Sequence, residues 1–178
     1  GKLIVNQSIK KAEGDSEVPN MFRFGMTLTM QEEYNTIEYY GRGPIENYSD
    51  RNSSEWIGVY NQSVESQYYP YIRPQESGNK TDVRYWKVVN GEGRGLMFYG
   101  TEPLSMSSLN FATEDLDEGM SKVNRHSGDL VPRKSTTVHV DKVQAGLACV
   151  NSWGAIPLEQ YRLPHGDYEY TFVIAPVR

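Results

Sequence analysis

The chain has 178 residues, of which 38% are hydrophobic and 23% charged, a composition that permits a buried core and is not typical of disordered or coiled-coil chains. Its 18 Lys and Arg against 23 Asp and Glu give a formal net charge of -5, which argues against a dedicated nucleic-acid surface. A single cysteine, Cys149, excludes an internal disulfide framework, and no apolar run approaches the roughly 20 residues that a membrane-spanning helix needs.

Strand patterns recur along the chain. Over Met21–Met30, apolar residues occupy every second position, which is the pattern of a half-buried antiparallel strand. Asp82–Val89 alternates in the same way. Its Val83 and Tyr85 are expected on the face opposite Trp86. Further strands are predicted at Leu96–Tyr99, Lys134–Val140, Ala145–Val150 and Tyr168–Ile174.

Helical signals are few. The one helix candidate is a short turn at Thr113–Glu118, where the Thr113 side chain can cap the first amides. The glycine-rich segment Gly91–Gly95 lies between predicted strands, and we therefore interpret it as a hairpin turn and not as a phosphate-binding loop. The sequence predicts a single all-β domain over residues 1–178, built as an antiparallel sandwich.

Two long connections are rich in Pro, Gly and aromatic residues: Gly41–Arg51 and Tyr68–Lys80. Loops of this length in a compact domain commonly carry function. Within the first, we expect structural ion pairs that fix a turn, formed between two arginines and two carboxylates: Arg42, Arg51, Glu46 and Asp50.

Candidate catalytic groups are not marked by spacing. A retaining glycosidase needs two carboxyls about 5 Å apart, and no such pair stands out. The acidic run Glu114, Asp115, Asp117 and Glu118 is interpreted as a solvated face, without the ligand spacing of a calcium loop. The histidines, which are His126, His139 and His165, form no metal motif, and Cys149 is interpreted as a small buried residue. The residue pattern therefore marks no carboxyl pair and no metal motif in this chain.

Trp153 is the strongest candidate for ligand contact. It follows a predicted strand within Asn151-Ser152-Trp153-Gly154, where its indole can project into solvent. An indole face packs well on the C–H face of a pyranose ring, and Asn151 can fix the orientation of a sugar. The alternative is a Trp that covers the end of the core, and the pattern by itself does not separate the two.

Three segments occur in a fixed order: GRGPIENYSDR at Gly41–Arg51, YIRPQESG at Tyr71–Gly78, and Asn151-Ser152-Trp153. In order and spacing, from about Met21 to Pro176, they resemble the C-terminal, small-chain domain of family 2 β-galactosidases. The resemblance implies an antiparallel β-supersandwich of the galactose-mutarotase-like type, truncated here at its N-terminus. It also implies that the chain is the C-terminal part of a multidomain enzyme.

The resemblance further implies that catalysis and substrate stacking are carried out by different domains. In the family, two glutamates on a central TIM barrel hydrolyse terminal β-D-galactosyl bonds with retention, and no position of this chain matches them. Trp153 matches the family's aromatic platform, which stacks on the substrate in the barrel's active site. Mg²⁺ and a monovalent cation are expected in other domains and no cofactor in this chain. The expected partners are the β-galactoside, the barrel of the same chain and further copies of the enzyme, with no nucleic acid and no membrane.

Two other functions stay open at this point. The first is a free-standing carbohydrate-binding module, which would bind sugar as an isolated chain. The second is an enzyme similar to aldose 1-epimerases, with His126 or His165 and a carboxylate as acid and base. One cysteine is compatible with the cytoplasm and with the periplasm.

Overall fold

The structure is a computed structural model, and it describes residues 1–14, 18–117, 119, 125–148, 151 and 154–178. In this part of the chain ten strands form two antiparallel sheets. The strands are β1 (Leu3–Ile9), β2 (Arg23–Gln31), β3 (Thr36–Gly43), β4 (Trp56–Ser63), β5 (Lys80–Val83), β6 (Tyr85–Val89), β7 (Gly95–Gly100), β8 (Leu104–Leu109), β9 (Ser135–Gln144) and β10 (Tyr168–Val177). One α-helical turn, α1, covers Thr113–Leu116, and short 3₁₀ turns cover Glu65–Gln67, Ser127–Asp129 and Glu159–Tyr161.

The six-stranded sheet has the order β1-β10-β7-β6-β3-β4, and the four-stranded sheet has the order β2-β9-β8-β5. The predicted all-β antiparallel sandwich is thereby confirmed. Because side chains alternate along a strand, each sheet buries one row against the other. The core includes Tyr39 stacked on Trp86 with ring centroids 4.7 Å apart. The Trp86 indole N–H donates across the sandwich to Ser108 Oγ at 3.0 Å, which satisfies a buried polar group of each sheet.

The outer face of the four-stranded sheet is also covered. Ser105, Ser107, His139 and Asp141 alternate with core residues along β8 and β9, yet each is no more than 6% exposed. The long connections cover this face, as when Ser105 Oγ donates to Asn79 Oδ1 at 2.8 Å. The alternation of apolar and polar residues therefore does not reveal that the outer, polar face of the four-stranded sheet is also buried.

Most predicted strands match the structure. Met21–Met30 corresponds to β2, Lys134–Val140 lies in β9, and Tyr168–Ile174 lies in β10. Leu96–Tyr99 lies in β7, and the predicted turn at Gly91–Gly95 joins β6 to β7.

The prediction of one strand over Asp82–Val89 was wrong. The chain crosses from the four-stranded to the six-stranded sheet at Arg84, after Asp82 adopts a left-handed backbone with φ of 56°. Because of the crossing, Val83 and Trp86 are both fully buried while Tyr85 is half-buried, so the predicted faces were also wrong.

Three boundaries also differ from the predictions. Residues 145–148 form no strand, and the rest of the predicted strand Ala145–Val150, with Cys149, lies outside the described residues. The connection predicted at Gly41–Arg51 begins later, because its first residues end strand β3 at Gly43. Thr113 does not cap α1: the turn begins after Ala112, whose N–H donates to the Asp115 carboxylate at 2.8 Å.

Candidate functional site

Trp153, the predicted substrate platform, lies outside the described residues, as does Ser152. Asn151 is described and is exposed. Gly154 follows with a φ of 79°, a backbone conformation that favours glycine. The role of Trp153 and Asn151 in sugar binding stays a prediction, and the geometry described below concerns the first two motifs and residues 145–148.

Glu46 joins the first motif loop to the second. Its side chain is only 5% exposed, and its carboxylate accepts hydrogen bonds from the Gly78 N–H at 2.6 Å and from Ser77 Oγ at 3.2 Å. The Tyr71 hydroxyl donates to the same carboxylate, and Arg51 Nη2 lies 2.5 Å from it. Burial, followed by the neighbouring carboxylate, raises the pKa of Tyr71 to about 12, so this hydroxyl remains a donor. Four donors around one buried carboxylate make Glu46 a fixed junction between two loops.

Arg42 does not pair with a carboxylate of its own loop, contrary to the prediction. Its Nε donates to Asp82 Oδ2 at 2.8 Å, beside the crossing between the sheets. Its Nη1 donates to the carbonyl of Glu55 at 2.9 Å. Arg42 therefore links both ends of the connection between β3 and β4 to β5, which spacing within the motif loop cannot indicate.

Asp50 was also expected to pair with an arginine, and this was wrong. Its Oδ2 accepts a hydrogen bond from the Ala148 N–H at 2.7 Å. Gly146 lies against the same carboxyl group, close enough that a Cβ there would come within 2.5 Å of Oδ2. Asp50 thus connects the first motif loop to the segment just before the third motif.

Asn47 also belongs to this junction, and the sequence analysis did not predict a structural role for it. It is fully buried, and its Oδ1 accepts from the Thr81 N–H at 2.9 Å and from the Thr81 hydroxyl at 2.6 Å. Its backbone N–H donates to the Asn79 carbonyl at 2.8 Å, and Asn79 Nδ2 donates back to the Asn47 carbonyl at 2.9 Å. Every polar group that Asn47 buries is used, which is the condition under which a buried amide stabilises a fold.

Lys80 is a second buried polar residue that sequence analysis missed. It is 2% exposed, and its Nζ donates to Gln67 Oε1 at 3.0 Å and to the Gly78 carbonyl at 3.2 Å. Burial lowers its pKa to about 8. It lies at the first residue of β5, where an alternating pattern gives no sign of a buried cation.

Two buried carboxylates share one guanidinium on the outer face of the four-stranded sheet. Arg23 Nη2 lies 2.7 Å from Glu76 Oε2, and Nη1 lies 3.2 Å from Asp141 Oδ2. Burial raises the pKa of both acids, to about 7 for Asp141. Asp141 is 1% exposed, so a sugar has no access to it.

His139 borders a small cavity next to this ion pair. The cavity has a volume of about 140 Å³, and four apolar side chains line it together with Glu76, Thr113, Asp117 and His139. Burial lowers the pKa of His139 to about 3, and its Nδ1 lies 2.9 Å from Thr27 Oγ1. This is a neutral, hydrogen-bonded core histidine, and the volume is below the roughly 300 Å³ of ordinary ligand pockets.

Of the other candidate groups, His126 and part of the acidic run contact neighbouring protein groups, whereas His165 Nδ1 is buried without a hydrogen-bond partner among the described residues. His126 Nδ1 lies 3.2 Å from the Ile72 carbonyl oxygen. Of the acidic run, Glu114 and Asp115 both pair with Arg133, at 2.9 and 2.5 Å, and Glu118 lies outside the described residues. Within the described ranges, no three His, Cys, Asp or Glu side chains come together as metal ligands would. None of the helical turns described here has the length and apolar character to cross a membrane.

Comparison with known proteins gives a consistent result. Residues 1–174 match the family model described as "Beta galactosidase small chain". The chain is 34% identical over 178 residues to a protein of Priestia megaterium named "Beta-galactosidase", which covers 99% of this chain and 16% of that protein. It is 30% identical over 167 residues to the "Beta-galactosidase" of Streptococcus thermophilus, covering 93% of this chain and 16% of that protein. A "Beta-galactosidase" of Lactobacillus delbrueckii subsp. bulgaricus is 31% identical over 155 residues, covering 86% of this chain and 14% of that protein. The chain thus spans about a sixth of the length of the first two of these relatives.

Proposed function

Because the chain belongs to the beta galactosidase small chain family, we propose that it is a non-catalytic part of a β-galactosidase. The parent enzyme would belong to glycoside hydrolase family 2 and hydrolyse terminal β-D-galactosyl residues with retention, through two carboxyls on another domain. The observation that carries the proposal is the family match over residues 1–174, nearly the whole chain.

The contacts of the first motif with the second motif and with residue 148 are consistent with a role in presenting a side chain to a neighbouring domain. Glu46 holds the second motif, and Asp50 contacts the backbone five residues before Trp153. In this proposal Trp153 stacks on the aglycone sugar of the substrate, with Asn151 beside it, and the motif loops keep the platform in place. The remaining surface would serve contacts with the barrel and with further copies of the enzyme. Mg²⁺ and a monovalent cation would be held by other domains.

The test is Trp153→Ala in the full-length enzyme. Stacking of an indole on a sugar face is worth about 1–2 kcal/mol, so lactose binding should weaken roughly 5- to 30-fold. Trp153→Phe should recover part of the loss, because it keeps a flat apolar face. The measurement is the KM and kcat for lactose together with the free energy of unfolding.

Trp56→Ala is the matched control, because Trp56 is 83% exposed on edge strand β4. It should leave the KM for lactose unchanged. A Trp153→Ala enzyme with unaltered lactose affinity and a stability loss of about 3–5 kcal/mol would instead place Trp153 in the core and overturn the platform.

A further inference from the structure

The outer face of the six-stranded sheet, which points away from the four-stranded sheet, carries a row of apolar and aromatic side chains. Each of the six strands contributes one member to this outer row, which consists of Ile4, Val173, Tyr99, Tyr85, Tyr40 and Val59 in the order of the strands across the sheet. The register places successive members opposite each other on neighbouring strands. A solvated face of an antiparallel sheet ordinarily carries polar residues at such positions, so the outer row departs from that pattern.

The outer row is accessible over its whole length. Ile4 at one end is 65% exposed, Val59 at the other end is 58% exposed, and Tyr40 beside it is 38% exposed. The remaining three members are half-buried, and none of the six belongs to the core cluster between the sheets. A contiguous apolar strip on a sheet face is typical of a surface that another part of a protein covers, because its removal from water is favourable.

The charged side chains beside the outer row are paired within the sheet. Lys87 Nζ donates to Glu38 Oε1 at 2.6 Å, and the Tyr85 hydroxyl donates to the same oxygen at 3.1 Å. Lys2 Nζ donates to the Tyr99 hydroxyl at 2.9 Å. A partner can therefore cover these charges together with the groups that balance them, which avoids the large cost of burying an unpaired charge. Tyrosine-rich surfaces of this kind are typical of the centre of protein interfaces.

The size of the outer row indicates what kind of partner covers it. Six strands spaced about 4.8 Å apart give a row about 24 Å long, and with its flanking side chains it offers an area on the order of 400 Å². Separate proteins that associate stably bury about 800 Å² on each partner. Domains of one chain associate through interfaces of about 600–1,500 Å² in total, because their covalent linkage raises the effective concentration. The area therefore fits a partner on the same polypeptide better than a second copy.

We infer that the outer row is the docking surface for the part of the parent chain that lies outside residues 1–178. The Priestia megaterium and Streptococcus thermophilus relatives are each about six times as long as the matching region, so such a chain has ample sequence to supply the covering surface. The chemistry of the row calls for a largely uncharged, apolar partner surface. The inference rests on the proposed function, since it takes the covering part to be the remainder of a β-galactosidase.

The first experiment measures whether the outer row is covered, by labelling Val59→Cys in the full-length enzyme with a water-soluble maleimide. Mass spectrometry of the peptide that contains position 59 gives the labelling rate in the native enzyme and in urea. A covered thiol reacts only when the parts separate, so the native rate should be at least about 10-fold below the unfolded rate. A native rate close to the unfolded rate would mean that the face is open to solvent, and it would overturn the inference.

Val131→Cys is the matched control. Val131 is 82% exposed and lies outside the outer row, between the turn at Ser127–Asp129 and β9. Its native labelling rate should stay within about 3-fold of its unfolded rate. Equal protection at positions 59 and 131 would show that the protection is not a property of this face, and this result also overturns the inference.

The second experiment identifies the covering part, by photo-cross-linking from p-benzoylphenylalanine at position 40 in place of Tyr40. Irradiation of the full-length enzyme should join position 40 to a peptide outside residues 1–178, in a product with the mass of one chain. A product with the mass of two chains would identify a second copy as the partner. Cross-links confined to residues 1–178 would identify no partner, and either of these results overturns the inference.

Neither readout depends on activity, so the two proposals fail separately. An active β-galactosidase in which position 59 labels as fast as the unfolded chain overturns the docking surface alone. A full-length protein without β-galactosidase activity, in which position 59 is protected and position 40 reaches a peptide outside residues 1–178, overturns the proposed function and supports the docking surface.

Discussion

At the scale of single residues, the chain buries ionisable groups on the outer face of its four-stranded sheet. Arg23 is shared by Glu76 and Asp141, so two carboxyls face one cation. The single positive charge of Arg23 cannot balance both carboxylates, and burial disfavours the charged form of Asp141. This is the physical reason that the pKa of Asp141 rises to about 7.

Asp141 should therefore make the stability of the fold depend on pH. An unfolded aspartate titrates near pH 3.9, so between about pH 4 and 7 the folded state binds more protons and the free energy of unfolding decreases as the pH rises. In the Asp141→Asn variant the side chain at this position cannot bind a proton over this pH range. Its free energy of unfolding, relative to the parent chain, should rise over this range by an amount on the order of 1–4 kcal/mol and then level off.

The measurement is urea unfolding of both chains from pH 4 to 8. His139 contributes with the opposite sign, because its lowered pKa removes stability as the pH falls below about 6.5, but it is present in both chains and cancels in the difference. A difference that stays constant across the range would mean that Asp141 is ionised throughout.

At the scale of elements, the connection between β3 and β4 is anchored by hydrogen bonds to distant parts of the chain. The connection between β3 and β4 sends Glu46 to the loop around Gly78, Asn47 to Thr81 and Asp50 to Ala148. The side chains of Glu46, Asn47 and Asp50 thus find hydrogen-bond partners in other parts of the chain, as buried polar groups generally must. The motif loops are in this sense one unit that lies over the four-stranded sheet.

Glu46→Ala should destabilise this unit strongly. It leaves the Gly78 N–H and the Tyr71 hydroxyl without their acceptor and removes the partner of Arg51, which should cost about 2–4 kcal/mol. Glu92→Ala is the matched control, because Glu92 pairs with Arg94 at the exposed hairpin turn and should change stability by less than about 0.5 kcal/mol. Chemical denaturation of the two variants measures both values, and equal small losses would show that the junction is a solvated surface.

At the scale of the whole molecule, the proposed function makes the sandwich a support for a side chain that acts in the active site of another domain. Asp141 is enclosed, and Glu76 is held by Arg23, so this pair is not available as the acid and nucleophile of a glycosidase. We therefore expect the 178-residue chain by itself to release no nitrophenol from a nitrophenyl β-galactoside. We also expect it to show no detectable binding of galactose or lactose by calorimetry.

Isothermal titration and a chromogenic assay on the isolated chain decide this. Binding that is lost in Trp153→Ala would identify a carbohydrate-binding module. Hydrolysis that is abolished by one carboxylate substitution would identify an enzyme. Mutarotation of galactose by the isolated chain would favour the epimerase-like alternative.

The sequence by itself determined the fold class and most of the strands. Alternation at Met21–Met30 and Tyr168–Ile174 is a local property, since a strand with one buried face must place apolar residues at every second position. The order of three motifs likewise indicated the family, because a linear pattern is enough for that. Glycines between two strands were enough to predict the turn at Gly91–Gly95.

Tertiary structure alone decided which side chains meet. Arg42 and its partner Asp82 are 40 positions apart, and Asp50 and Ala148 are 98 positions apart. The crossing at Arg84 depends on a turn between the two sheets. Ion pairs predicted from proximity within Gly41–Arg51 were therefore right only for Arg51 with Glu46. In an isolated loop, spacing along the chain determines which side chains are near each other. In a buried loop, the partners lie in the connections that pack against it, and this packing requires that both sheets have formed.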